Sequence, residues 1–156
     1  MIPVEGARMN DRKSQKEEYI MKKALNCSMV YAVAGLAAGV YYREFTKILG
    51  FSGSTVLAGV HTHLLVLGMM MFMLVALFAQ RSDLGTYKSY RVFMITYNAG
   101  VALTSAMMLV RGTLQVLGSG MSSGISAAIS GMAGIGHMLL GTGMILLLVA
   151  LKKTAR

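Results

Sequence analysis

The chain has 156 residues, enough for one compact unit and too few for two ordinary domains. It is 55% hydrophobic and only 13% charged, with a formal charge of +9, whereas a soluble domain draws about a quarter of its residues from Asp, Glu, Lys and Arg. That excludes a water-soluble enzyme, whose surface it could not cover, and a disordered chain, which would be far more polar.

Residues 1–8 (MIPVEGAR) read as a flexible chain end, and residues 10–23 (NDRKSQKEEYIMKK) as a short surface helix. Four apolar stretches follow, each able to cross a bilayer, which takes about 20 helical residues. They run from Leu25 to Tyr42, Val56 to Ala79, Val92 to Val110 (with a continuation towards Leu117) and Ile125 to Leu151. None alternates like a strand, and an open sheet could not satisfy its backbone in lipid. The first lacks a cleavage pattern and reads as a retained helix rather than a secretory signal. The fold class is therefore all-α: an integral membrane four-helix bundle over 24–151, preceded by a segment 1–23 and followed by a tail 152–156.

Lys and Arg placement predicts the direction. Residues 1–23, the loop holding Arg81, Lys88 and Arg91, and the C-terminal tail together carry twelve cations; the other side has Arg43, Lys47 and Arg111. Both termini are expected in the cytoplasm, with the uncharged loop Leu117–Gly124 outside, in a multi-pass protein of the inner (plasma) membrane. This layout points to lipid and not to nucleic acid. Gly35 and Gly39 in the first span and Gly131, Gly134, Gly136, Gly141 and Gly143 in the fourth allow close helix approach, so a homo-oligomer, dimer or trimer, is expected. Cys27, the single cysteine, excludes an intrachain disulfide.

All three histidines, His61, His63 and His137, lie within spans, where an ionisable side chain is costly and marks a functional candidate. His63 stands 17 residues before Gln80 and His137 15 before Lys152, so at about 1.5 Å per residue the two rings share a depth in the outer half of the layer. Two neutral imidazoles at one depth on different helices suit the axial positions of a haem iron. His61 and His63 are about 200° apart around their helix and cannot both bind one iron, so one of them ligates: His63 with His137 is the preferred axial pair, and His61 is the substitute for His63. Ser130, Ala133, Gly134 and Gly141 share the face of His137 and leave room for a flat macrocycle; Gly59 plays that part beside His63, and Gly68 lies on the face of His61. Arg111, on the histidine side, is a candidate propionate partner, helped by Arg43 or Lys47; its plain alternative is a snorkelling interfacial arginine. Tyr97 and Asn98 read as packing and hydrogen-bonding residues. No C-x-x-C-H occurs, so the haem would be non-covalent haem b. Met69, Met70, Met71, Met73, Met107 and Met108 face all ways round their helices and read as filler rather than a Cu(I) site.

The segment GVHTHLLVLGMMMF resembles the histidine-bearing helices of the catalytic subunit of haem-copper oxidases and nitric oxide reductases. With GIGHMLLGTG in the last span, residues 24–151 also resemble an uncharacterised family of small four-helix bacterial membrane proteins. The oxidase subunit is similar to three successive four-helix units, so the resemblance implies a homotrimer here. It also implies His61 or His63 as a haem ligand, with His137 opposite. The three further histidines of an oxidase copper centre have no counterpart, so electron transfer or binding of a small redox ligand such as O2 or NO fits better than oxygen reduction. Electron transfer would require a redox partner that the residues leave unspecified. Competing readings are a small transporter or Cu/Zn-handling protein using His and Met, and a structural subunit with hydrogen-bonded histidines.

Overall fold

The computed structural model describes residues 4–80 and 82–155, the stretch 4–10 through its backbone alone. It holds four long helices, α1 (Val4–Ile48), α2 (Val56–Ala79), α3 (Lys88–Val116) and α4 (Ser123–Thr154), with a 3-10 turn at Leu84–Thr86. No strand occurs among the described residues. Each long helix contains a stretch long and apolar enough to cross a membrane, and the limits of α2 coincide with those predicted. Of the predicted chain end, residues 1–3 lie outside the described residues.

One boundary differs. The surface helix expected over 10–23 is not separate; it runs unbroken into the first span as α1. Residues 9–34 contain neither glycine nor proline to stop it. At about 67 Å, α1 is roughly twice as long as a hydrocarbon core is thick, so its first part extends beyond any apolar layer. That part is nonetheless anchored. Ile20 and Ala24 are buried, Ile20 against Gly85 of the α2–α3 connection, and Lys13 Nζ lies 3.0 Å from the Asp83 carboxylate. The hydrogen bond and charge of Asp83 raise the Lys13 ammonium above its usual range.

Glycine ends two of the helices. Gly50 after α1 and Gly118 after α3 adopt φ of 60° and 64°, and in each case the next residue's N–H reaches back five residues, Phe51 to Thr46 and Ser119 to Leu114. These are Schellman caps, which need a left-handed residue. Between them, Thr55 caps the start of α2 by accepting from Leu57 N–H, and Gln115 Oε1 accepts from Val56 N–H.

The winding of α2 is irregular. A 3-10 turn (Val56–Gly59) and one α turn (Val60–His63) lead into a π-helical stretch, Leu64–Met70, before α-helix resumes at Met71. Ser28 of α1 donates to the Met69 carbonyl within that stretch at 2.9 Å, supporting a ladder that π winding loosens.

Packing is sequential: α1 lies along α2, α2 against α3, and α3 along α4, while α1 and α4 do not pack on one another among the described residues. α4 buries a single stripe, Ile129, Gly136, Leu140, Gly143, Leu147 and Ala150. Gly136 abuts Thr104, and Gly143 abuts Tyr97. The α2–α3 contact is centred on rings: Phe72, Phe93 and Tyr97 are fully buried, with centroids 5.2–6.0 Å apart, and Tyr31 of α1 stacks on Phe72 at 5.7 Å.

Candidate functional site

The His-x-His pair divides between two faces of α2. His61 turns to α1, its Cβ 3.7 Å from where a side chain on Gly39 would begin. Gly68 also faces α1, against Tyr31, as its shared face with His61 predicts. His63 lies on the flank where Gly59 meets Met108 of α3. His137 stands on an exposed flank of α4, next to Gly136.

Depth can be read from these contacts. Gly59 is level with Met108, so His63, one turn along α2, is level with Thr104, one turn back along the antiparallel α3. Gly136 sits against Thr104, so His137 shares that level too. Around α3, Gly112 (against Leu57 of α2) and Gly100 (against Leu140 of α4) are about 120° apart. The helices bearing His63 and His137 therefore form two arms of a corner with α3 at its vertex.

Hydrogen bonding separates the three rings further. His63 Nδ1 is 2.9 Å from the Gly59 carbonyl and His137 Nδ1 is 2.8 Å from the Ala133 carbonyl. A carbonyl only accepts, so each Nδ1 carries a proton, and in the neutral ring the lone pair is then on Nε2. His61 has no such support: its Nε2 is a long 3.4 Å from the Thr62 hydroxyl and its Nδ1 is buried without a partner. The sequence prefers His63, with His61 as its substitute; the carbonyl four residues before His63 gives the two rings different hydrogen bonding.

Space around the rings is uneven. A Cβ at Gly131, Gly134 or Gly141 would meet nothing within 4 Å, so the side of α4 around His137 is open. Gly59 differs from its predicted role. The Met108 methyl lies 3.0 Å from where its Cβ would be, so the room there is already filled. Met69 and Met71 likewise pack against the core as filler.

Arg111 is committed to α4. Its NH2 group donates to the Ser126 carbonyl at 3.0 Å and to Ser130 Oγ at 2.6 Å, while Nε is buried without a partner. Ser130 lies two turns from His137 on the same face, about 10 Å along the axis. Sequence reasoning missed the two serines that receive the guanidinium, although Ser126 and Ser130 sit one turn apart. Arg43 is drawn to its neighbour Glu44 at 3.1 Å. Tyr97 and Asn98 behave as predicted: the first packs in the ring cluster, and the second accepts from Tyr31 Oη at 3.0 Å. Among the described residues no three His, Cys, Asp or Glu side chains stand together as a metal chelate.

The family model described as "Protein of unknown function (DUF2871)" matches residues 21–154, which is all four spans. The chain belongs to the DUF2871 family. No curated protein and no solved structure matches it. For this DUF2871 chain the small-family resemblance is thus replaced by membership, and no link to the haem-copper oxidases is shown.

Proposed function

We propose that this DUF2871 chain is a multi-pass membrane protein holding haem b non-covalently between His63 and His137, and that it serves electron transfer or small redox-ligand binding. The observation that carries the reading is the pair of Nδ1–H···O=C bonds, 2.9 and 2.8 Å, which place the Nδ1 proton of each ring on a carbonyl and leave Nε2 as the nitrogen a metal would take. Iron ligation by histidine uses this tautomer, and a carbonyl behind the ring orients it and raises its basicity. The residues fit the group in three respects. Both rings lie at one level, the helical phase of each turns it into the corner beside Met108, and the open glycines on α4 leave a flat molecule room beside His137. Arg111 would meet a propionate only through what its serine contacts leave free. When bound, the haem would supply a one-electron couple at its iron.

A metal held by a histidine–methionine chelate is less well supported, since Met69, Met71 and Met108 pack against the core. The optical spectrum of protein expressed with ample haem tests the proposal: a Soret band retained through purification supports it, and a colourless protein refutes it.

Two further expectations belong to this reading. Both termini face the cytoplasm of a cell whose inner membrane holds the protein, because twelve of fifteen Lys and Arg residues lie at that end or in its loop. Impermeant labels on single cysteines placed after Gly118 should react in intact cells, and labels near residue 156 should not; the reverse pattern would overturn the orientation. The chain should also self-associate through flanks that α1 and α4 leave uncovered, as a trimer or dimer. Native mass spectrometry in mild detergent showing only monomer across a wide concentration range would exclude it.

A further inference from the structure

Because α1 and α3 both pack on α2, a furrow runs between them. The Tyr31 hydroxyl bridges it by donating to Asn98. On the side of the chain termini lies a cavity of about 430 Å³, with Lys16, Lys23 and Arg91 among its lining and Ile20, Met94 and Ile95 as its apolar wall. No carboxylate lines it. Of the nearby acids, Glu18 pairs with Lys22 and Asp83 with Lys13, and Glu17 lines a smaller adjoining hollow together with Lys13, Lys16 and Asp83. Lys16, Lys23 and Arg91 form no ion pair among the described residues. Beyond the Tyr31–Asn98 bridge the furrow opens again into a cavity of about 520 Å³ between Ala34, Ala38, Ala102 and Ala106.

We infer that the cavity at the terminal end binds the phosphate of an anionic phospholipid, with its acyl chain lying in the furrow. Three cations from two helices line a cavity that no carboxylate enters, and Arg91 can grip two phosphate oxygens at once. Basic pockets between membrane helices at the membrane surface recognise anionic headgroups by this chemistry. The apolar wall separates a lipid from free phosphate: Met94 and Ile95 offer nothing to an inorganic ion, but Ile95, 73% exposed, gives a hydrocarbon chain a surface to follow. General attraction of a basic end to a negative membrane would involve Lys152 and Lys153 equally, which the test separates. The inference does not depend on the haem reading.

The full-length protein, delipidated in mild detergent, is titrated with phosphatidylglycerol, with phosphatidylcholine of the same chains, and with inorganic phosphate. Bound lipid is counted by native mass spectrometry and thermal stability is followed. Phosphatidylglycerol adducts should persist and raise the melting temperature, while the other two should not. The combined variant Lys16→Gln, Lys23→Gln, Arg91→Gln should weaken phosphatidylglycerol binding by about a hundredfold while keeping wild-type helicity and elution. Lys152→Gln with Lys153→Gln should bind as wild type. Should the triple variant lose its helicity, Arg91→Gln alone is read for a smaller loss in the same direction. Equal retention of phosphatidylcholine, equal stabilisation by inorganic phosphate, undiminished binding by the triple variant, or an equal loss in the Lys152/Lys153 variant would each overturn the inference.

Discussion

Replacing His137 with alanine is expected to lower haem occupancy by about tenfold or more, or to convert a six-coordinate spectrum into a five-coordinate one. Removing an iron ligand should cost at least as much as removing a residue that merely supports one, which typically costs 10–100-fold in metal affinity. His63→Ala should behave alike, because its ring has the same Nδ1–H bond to a carbonyl and lies at the same level. His61→Ala is the discriminating control. Its ring faces Gly39 of α1, so its loss should leave the optical and EPR spectra unchanged. If all three variants keep wild-type haem content and spectra, histidine ligation is wrong. If His61→Ala alone loses haem, the assignment within the pair is reversed.

The second large effect concerns glycine. A Cβ on Gly112 would fall against the backbone of Leu57, and one on Gly136 against Thr104. Gly112→Leu or Gly136→Leu should therefore abolish the folded protein in detergent: overpacking costs about 1–3 kcal/mol even where side chains can yield, and at Gly112 the obstacle is main chain. Gly134→Leu and Gly141→Leu add the same side chain where nothing lies within 4 Å. They should fold, with unchanged melting temperature once haem is stripped, and yet lose haem because leucine stands over the face beside His137. Melting curves and haem-to-protein ratios of the four variants check both halves. A Gly134→Leu protein with full haem content would remove the macrocycle from that face.

The spans were legible in the sequence because a run of about 20 apolar residues has few other physical meanings, and α2 begins and ends where its run does. The join between the amphipathic opening and the first span was not, since charge composition marks a change of environment and not a break in winding. The π-helical stretch Leu64–Met70 left no sign, because Leu, Val and Met accept either ladder. Which stripe of each helix is buried was hidden for a reason peculiar to lipid: outward faces are as apolar as inward ones. Ile135, 50% exposed, and Leu140, 8% exposed, read alike in sequence. At the candidate site, matched depth of His63 and His137 followed from counting residues. The preference for His63 over His61 followed as well, but the backbone carbonyl behind the ring was not visible, and the seat of Arg111 needed the register of α3 against α4.

Sequential packing also bears on how the molecule is made. α1 with α2 and α3 with α4 are two helical hairpins, the second clamped by Arg111 on Ser126 and Ser130, and they meet through α2 on α3 and through the Tyr31–Asn98 and Tyr41–Thr113 contacts of α1 with α3. Were each hairpin to enter a bilayer and close by itself, assembly would end as a docking of two halves around Phe72, Phe93 and Tyr97. His63 arrives with the first half and His137 with the second. A cofactor held between them would be captured only at that final encounter and would then act as a staple across the seam, so polypeptides 1–81 and 82–156 produced together should recombine more completely when haem is plentiful.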